Sequence, residues 1–386
     1  MIYTTDVARV QKPMEGSGYR YRSVVPDLPP PEAYLPHLEA AHAAGWFTNF
    51  GPLARRLEAG MAEAFGAPGE ICISACNATA GLSAALLASG RTGPVLIPAF
   101  TFPASAGAVR AAGREVLVMD VSPDSWAVDP AELDRILRSV RVGAVMLVSP
   151  FGLQLDFSEQ IAVCRRHGAA IVIDSAAGLG IARANRPAHP DLWEVYSLHA
   201  TKPFGVGEGG VIFAHPRTEE AVRAALNFSL HAFHRTDLPS WGFNGKMSEL
   251  HAAIGLAQLE RFSGRLAGRQ AFAARYIGEI RQLEGVVIVS DAAASPWQVF
   301  PILLPDRAAR DRLLTLAAVE GLEVRCYYHP SLSRWPELRH AGSCANAESL
   351  AERMAVLPVR AQARGPEADA IIEIARRSLA AALGAK

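Results

Sequence analysis

From about residue 50 to residue 215, short runs of apolar and often β-branched residues alternate with stretches whose apolar residues recur at helical spacing. A run that is apolar throughout has no polar face for water, so each predicted strand must be buried on both sides. Such strands are typical of a mostly parallel sheet between helices, and we therefore expect an α/β fold. The predicted strands cover residues 71–74, 95–97, 116–119, 144–148, 170–174, 195–198 and 211–214.

The pattern changes after about residue 241. A long Ala- and Leu-rich region at 247–283 predicts a helix, and shorter strands and helices follow it. We expect a large domain over residues 1–250, with an N-terminal arm at 1–45, and a small α+β domain over 251–386. The prolines at 26–31 indicate that the arm is extended. In the C-terminal part we predict strands at 286–290, 297–304 and 324–327 and helices at 347–354 and 366–383.

The charge balance excludes one class of partner. The chain has 38 Lys plus Arg and 38 Asp plus Glu, whereas a nucleic-acid-binding protein usually shows a basic excess or a basic face. Its most apolar runs are too short to span a bilayer, and its first residues lack the layout of a signal peptide. Five cysteines are a poor disulfide framework. We therefore expect a cytoplasmic protein without nucleic-acid or membrane partners.

No metal site is expected. Cys72 and Cys76 are four residues apart, but no second cysteine pair or nearby histidine completes a zinc site. His231 and His234, even with His251, lack an accompanying cluster of carboxylates.

Lys202 ends the segment 196–202, where an apolar strand is followed by a glycine-rich stretch. A lysine at the end of a buried strand is partly desolvated, which lowers its pKa and favours the free amine that forms a Schiff base. A lysine that extends to solvent, or pairs with an acid, would fit the same pattern.

Asp174 ends the β-branched run 171–174, at the carboxyl end of a predicted central strand, where open α/β sheets bind ligands. Alone it is either a helix N-cap or a site residue. Together with Lys202 it suggests a pyridoxal 5′-phosphate (PLP) site, which needs a lysine and a carboxylate against the pyridinium nitrogen.

Two further segments suit the same cofactor. Residues 74–82 join a strand to a helix through small residues. The backbone amides of Ala78 and Thr79 would face an anion at this helix end. An ordinary capped turn would fit the same sequence. Phe102 follows the next strand and would either cover a flat ring or pack in the core.

Four segments in chain order resemble the DegT/StrS family of PLP-dependent sugar aminotransferases, which have the aspartate-aminotransferase fold. Residues 45–52 resemble the family's glycine–proline substrate loop, and 77–79 its phosphate turn. The Ser-x-His-x-Thr-Lys signature at 197–202, followed by Glu-Gly-Gly at 208–210, resembles its cofactor-lysine segment. Residues 242–249 resemble the loop that reaches the neighbouring subunit.

The resemblance implies a role for each matching residue in the cofactor site. Lys202 would hold PLP as an internal aldimine and move the proton between substrate and cofactor, and Asp174 would pair with the pyridinium nitrogen. Phe102 would stack on the ring. The remaining cofactor-binding residues would hold the phosphate: the amides of Ala78 and Thr79 and the hydroxyl of Ser197.

The resemblance also implies a second subunit. Asn244 would reach the phosphate in the partner's site, so the protein would be a homodimer with shared active sites. Trp46 and Lys246 would contact the substrate, Lys246 at the nucleotide's pyrophosphate, although a solvated loop lysine explains Lys246 equally well. Three positions depart from the family pattern. Ala177 stands where His or Gln near the ring oxygen is usual, and Ala78 where Gly is common; residues 149–152 read Ser-Pro-Phe-Gly where many relatives have His before the Tyr/Phe-Gly pair.

The reaction implied is a ping-pong transamination in which glutamate converts PLP to pyridoxamine 5′-phosphate, which then aminates a nucleotide-linked keto-deoxysugar. The favoured position is C4 of a dTDP- or GDP-linked 4-keto-6-deoxyhexose. Amination of a 3-keto sugar, a cyclitol or a benzoate precursor remains open, as does a PLP-binding regulator without turnover. The family's dehydratase branch carries His in place of the lysine, and Lys202 argues against it.

Overall fold

The computed structural model describes residues 18–180, 188–230, 235, 237–288 and 295–384. An eight-stranded sheet and a two-stranded sheet contain its strands. In chain order these are β1 (Ile71–Ala75), β2 (Val95–Pro98), β3 (Val116–Met119), β4 (Ala144–Val148), β5 (Ala170–Asp174), β6 (Leu192–Ser197), β7 (Gly210–Ala214), β8 (Val299–Leu303), β9 (Arg339–His340) and β10 (Met354–Pro358).

The large sheet is mostly parallel, as the apolar runs predict. Its order is β1-β7-β6-β5-β4-β2-β3-β9, and only β7 runs antiparallel to its neighbours β1 and β6. Both faces of β5 are buried: Val172 packs into one core cluster, whereas Ile171 and Ile173 pack into another. The α/β fold expected from the sequence is thereby confirmed. The small sheet pairs β8 with β10 antiparallel.

Helices join these strands at bounds close to those expected. The helices are α1 (Pro31–Ala44), α2 (Pro52–Phe65), α3 (Ala78–Ala88), α4 (Pro103–Ala111), α5 (Pro130–Ser139), α6 (Ser158–Arg166), α7 (Glu219–Leu226), α8 (Glu249–Ile280), α9 (Arg307–Val319), α10 (Ala345–Arg353) and α11 (Pro366–Leu383). Among the described residues, none of these helices is both long and apolar enough to cross a membrane.

The extended arm is wrong for residues 31–44, which form α1. Pro31 stands at the start of this helix, where its missing N–H costs nothing, and Gly45 ends it in the left-handed conformation with φ 62°. The preceding segment is anchored to α8, because Asp27 accepts hydrogen bonds from Arg261 at 2.6 Å and Arg265 at 2.7 Å. Residues 1–17 of the predicted arm lie outside the described residues.

The C-terminal part differs in detail from its prediction. In place of strands at 286–290 and 324–327, the structure has single bridges, Val287 to Leu303 and Arg325 to Val356, and residues 289–294 lie outside the described range. The short strand β9, which was not predicted, joins the large sheet beside β3. The division of the chain at residue 250 stays a prediction.

Candidate active site

A cavity of about 440 Å³ lies where the carboxyl ends of the central strands meet, a size within the usual range for small-molecule sites. Asp174 ends β5 and Ser197 ends β6, so the parallel arrangement brings the two residues to one edge of the sheet. The sequence-predicted residues that line the cavity are Ala78, Thr79, Phe102, Asp174, Ser197 and Lys202.

Lys202 follows β6 in a turn, and its Nζ donates a hydrogen bond to Oε1 of Gln298 at 3.0 Å. Desolvation by burial lowers the pKa of its ammonium to about 8, although the negative charge of Asp174 acts in the opposite direction. The residue is therefore not a solvated surface lysine. Near neutral pH an appreciable fraction of its side chain is the free amine, which is the nucleophilic form.

This lowered pKa predicts how the apoprotein captures PLP. Because only the free amine attacks an aldehyde, the rate of capture should rise about five-fold between pH 7 and pH 8 and level off above about pH 9. Stopped-flow absorbance of apoprotein mixed with PLP measures this rate. A rate that keeps rising to pH 10, as for a free lysine analogue measured in parallel, would contradict the lowered pKa.

Asp174 is only 6% exposed, and burial raises the pKa of its carboxyl. Two hydrogen bonds act in the opposite direction, one from Oγ of Ser105 to Oδ2 at 2.7 Å and one from the amide of Ala176 to Oδ1 at 3.1 Å. The charge of Lys202 also lowers this pKa. No described helix begins directly after Asp174, since residues 175–180 form turns, so the helix N-cap alternative is wrong.

The first turn of α3 forms an anion cradle at the cavity. Asn77 caps this helix, and its Oδ1 accepts a hydrogen bond from the amide of Ala80 at 2.8 Å. The amides of Ala78 and Thr79 precede the first intrahelical hydrogen bond, so the helix itself supplies them with no acceptor. A bound phosphate is the natural acceptor at such an end.

Gly210, the first residue of β7, lets this turn approach the sheet. A Cβ atom at Gly210 would lie 2.6 Å from the carbonyl carbon of Asn77 and 2.7 Å from the amide nitrogen of Ala78. Both are backbone atoms, so a side chain could be accommodated only by moving the cradle. Gly210, the last residue of the Glu-Gly-Gly sequence at 208–210, is therefore a position where the structure has no room for a side chain.

We expect Gly210→Ala to weaken PLP binding by about ten-fold or more, because the displaced turn misdirects the amides that face the phosphate. Fluorescence titration of the apoprotein with PLP measures this. Gly278→Ala is the matched control: it lies on the exposed face of α8 with no atom within 4 Å of its Cβ, and should leave affinity unchanged while stabilising the helix by about 0.5–1 kcal/mol. Equal PLP affinities in the two variants would contradict the role of Gly210.

Phe102 and Ser197 complete the wall of the cavity. Phe102 precedes α4 and is 56% exposed, so the alternative that it packs in the core is wrong. Ser197 is buried, and its Oγ accepts a hydrogen bond from the amide of His199 at 3.2 Å, which leaves its hydroxyl proton for another acceptor.

Among the polar residues of the cavity, His199 and Thr201 belong to the signature at 197–202, whereas the sequence did not indicate Gln298. Gln298, just before β8, accepts from Lys202 and donates from Nε2 to the carbonyl oxygen of Thr201 at 3.1 Å. Oγ1 of Thr201 lies 2.8 Å from Nδ1 of His199. Gln298 is 96 residues from Lys202 in the sequence, so no spacing pattern links it to the signature at 197–202.

Trp46, Asn244 and Lys246 do not line this cavity within one chain. Lys246 is only 9% exposed; its Nζ donates to Oδ1 of Asn227 at 2.8 Å and lies 4.7 Å from the ring centroid of Phe228. Burial lowers its pKa, so the alternative of a solvated loop lysine is wrong. Asn244 is exposed and forms a backbone bridge with Asn227.

Apolar side chains are exposed around these three residues. We call Trp46, Phe47, Phe228, Trp241 and Leu250 the apolar face; Trp241 is 80% exposed. Backbone hydrogen bonds connect its parts, from Glu249 to Phe47 at 3.0 Å and from Phe228 to Phe243 at 3.3 Å.

In the described part of the chain, no group of three His, Cys, Asp or Glu side chains is placed to hold a metal ion. His231 and His234 lie outside the described residues.

Comparison with known proteins relates this chain to aminotransferases. The model of the DegT/DnrJ/EryC1/StrS aminotransferase family matches residues 32–376. The dTDP-4-amino-4,6-dideoxy-D-glucose transaminase of Shigella dysenteriae is 28% identical over 347 residues, 87% of this chain and 93% of the relative. GDP-perosamine synthase of Caulobacter vibrioides is 29% identical over 295 residues, 74% of this chain and 78% of the relative. The solved structure of DesI with its TDP-sugar product superposes with a TM-score of 0.82 at 29% identity, covering 94% of each chain.

The residues of the cavity fit PLP. The cradle at α3 suits a phosphate, the exposed ring of Phe102 suits a flat heterocycle, and the buried carboxyl of Asp174 suits a protonated ring nitrogen. Lys202, with its lowered pKa, supplies an amine for the aldehyde.

Proposed function

Because the chain belongs to the DegT/DnrJ/EryC1/StrS aminotransferase family, it is a PLP-dependent aminotransferase, and we propose that it transfers an amino group from glutamate to a nucleotide-linked keto-deoxysugar. The observation that carries this proposal is the convergence of Lys202, Asp174 and the amino end of α3 on one cavity. Those three elements are what amine chemistry with PLP requires of a protein.

The names of the relatives support a sugar nucleotide as the acceptor. They include a transaminase of a dTDP-linked dideoxysugar and a GDP-perosamine synthase, and DesI was solved with a TDP-sugar product. The first substrates to test are therefore dTDP- and GDP-linked 4-keto-6-deoxyhexoses, aminated at C4. A UDP-linked 3-oxo sugar is named for another relative, from Pseudomonas aeruginosa, which keeps 3-keto sugars as the second candidates.

In the proposed mechanism Asp174 accepts a hydrogen bond from the protonated ring nitrogen of the cofactor and keeps the proton there. The amides of Ala78 and Thr79 and the hydroxyl of Ser197 hold the phosphate, and Phe102 covers one face of the ring. When bound, PLP supplies the electron sink for the bonds at the amino-bearing carbon.

Lys202 has two tasks in this proposal. Its amine would hold the cofactor, and it would also carry the proton to and from the substrate carbon. Its lowered pKa suits both tasks, because the side chain exchanges a proton near neutral pH. Gln298, which accepts a hydrogen bond from Nζ, would orient this amine.

A second copy of the chain completes the site in this proposal. Asn244 and Lys246 lie outside their own cavity, and the apolar face around them exposes large side chains that a homodimer would bury. A twofold axis would place the loop 242–249 of each chain at the partner's cavity, with Asn244 at the phosphate and Trp46 and Lys246 at the substrate.

Mixing two inactive variants tests the shared site. Lys202→Ala and Asn244→Ala should each be impaired alone, but a mixture allowed to exchange subunits should recover about a quarter of the parental activity, since half of the dimers then contain one intact site. The activity of the mixture, followed during subunit exchange, measures this. If Asn244 acts within its own chain, mixing restores nothing and the shared site is contradicted.

The function itself is tested by mass spectrometry of sugar nucleotides after incubation with holoenzyme and glutamate. We expect amination of a dTDP- or GDP-linked 4-keto-6-deoxyhexose, with 3-keto sugars and cyclitols as parallel arms. Amination of a cyclitol alone would contradict the sugar-nucleotide substrate. If glutamate leaves the visible spectrum of the bound cofactor unchanged, glutamate is not the donor; the same result with every amino donor would indicate a PLP-binding regulator.

A further inference from the structure

Two buried hydroxyls form a hydrogen-bonded chain with Asp174, and one of them belongs to Thr101, which lines the cavity. Oγ of Ser105, in the first turn of α4, donates to Oδ2 of Asp174 at 2.7 Å. Oγ1 of Thr101 lies 2.8 Å from Oγ of Ser105. All three side chains are at least nine-tenths buried, so water does not compete for these bonds.

The direction of this chain follows from its proton count. An ionised carboxylate can only accept hydrogen bonds, and a serine hydroxyl has one proton to give. The proton of Ser105 therefore points to Asp174, and Thr101 must donate to Ser105. The hydrogen bond that Ser105 donates to Oδ2 lowers the pKa of the Asp174 carboxyl, so this arrangement favours the ionised form.

Because Asp174 is buried, its ionised form depends on the groups that face it. Burial opposes ionisation, and only the bonds from Ser105 and Ala176 and the charge of Lys202 favour it. Tyr328, whose phenol lies within electrostatic range of Asp174, is partly buried; desolvation raises the pKa of its phenol, so it stays neutral and contributes no positive charge. In a cycle in which the charge near Lys202 changes, the bonds from Ser105 and Ala176 are the constant contributions, and the bond from Ser105 is the larger of the two.

We propose that Ser105 is a positioning residue that keeps Asp174 ionised and oriented toward the ring nitrogen of the cofactor, and that Thr101 fixes the direction of the Ser105 hydroxyl. This inference rests on the proposed role of Asp174. It assigns a task to two residues for which no cofactor contact is proposed; of the two, Thr101 lines the cavity and Ser105 does not.

The test measures PLP affinity as a function of pH in Ser105→Ala, together with the nitrogen-15 resonance of the ring nitrogen of labelled PLP. A lost hydrogen bond to a charged group should weaken affinity at neutral pH by about 10-fold to 100-fold. The acidic limb of the affinity profile should also move upward by about one pH unit, because the carboxyl without Ser105 takes up its proton at higher pH. The ring nitrogen should lose its protonated resonance at neutral pH.

Paired variants separate this role from a structural one. Thr101→Val keeps the volume but removes the hydroxyl and should move the acidic limb in the same direction, whereas Thr101→Ser should restore the parental profile. Ser378→Ala removes a buried hydroxyl on α11, away from the cavity, and should leave affinity and resonance unchanged. Thr101→Val also provides the measurement if Ser105→Ala fails to fold.

The inference would be overturned if Ser105→Ala or Thr101→Val kept the PLP affinity, the pH profile and the ring-nitrogen resonance of the parent. Asp174→Asn distinguishes this failure from a failure of the proposed site. If Asp174→Asn is impaired while the hydroxyl variants are not, only the inference fails. If Asp174→Asn binds PLP normally, the proposed role of Asp174 fails with it.

Discussion

Replacing Lys202 by alanine is expected to lower transamination by at least about a thousand-fold and to abolish covalent attachment of PLP. The loss is large because one amine both attaches the cofactor and moves the proton at the substrate carbon. The cavity keeps its other contacts, so the variant should still bind PLP non-covalently through the cradle at α3 and Asp174. Single-turnover kinetics and the visible spectrum measure the two losses separately.

Lys202→Arg is the matched control for charge. Arginine keeps a positive charge beside Asp174 but cannot form the covalent link or exchange a proton near neutral pH. We therefore expect it to be as inactive as the alanine variant. Activity within about ten-fold of the parent in either variant would show that another group performs the chemistry.

Asp174→Asn should lower kcat by about 100-fold to 5000-fold while keeping the shape of the site. Removing one partner of a buried charge pair costs about 3–5 kcal/mol, because the other charge remains unpaired. An amide cannot hold the proton on the ring nitrogen, so the cofactor becomes a weaker electron sink. Asp156→Asn, at an exposed turn, should leave kcat unchanged. A kcat for Asp174→Asn within a few-fold of the parent would contradict the pairing.

Both residues could be predicted because their signals are local. Asp174 and Lys202 each follow an apolar strand, and parallel strands bring their carboxyl ends to one edge of the sheet. The anion cradle could be predicted for a similar reason, because the strand and the helix that meet there follow each other directly in the chain. The roles of these residues toward PLP stay predictions that the variants above test.

The rest depended on contacts between distant parts of the chain. Gln298 meets Lys202 only because β8 packs beside the cavity, and nothing in the spacing of the sequence links the two residues. The bond from Ser105 to Asp174 joins residues 69 positions apart. Helix α1 was missed because its prolines, at its start and at Pro36, indicate an extended segment when neighbouring structure is ignored.

The central claim is that Lys202 carries the cofactor, and one measurement tests it directly. The chain has only four lysines, Lys12, Lys202, Lys246 and Lys386, so borohydride reduction of the PLP-loaded protein followed by peptide mass spectrometry has few outcomes. We expect the phosphopyridoxyl label on the peptide that contains Lys202, at about one label per chain, and none on the peptide that contains Lys246. Label on Lys246 or on either terminal lysine in place of Lys202, or no stoichiometric label, would contradict the account.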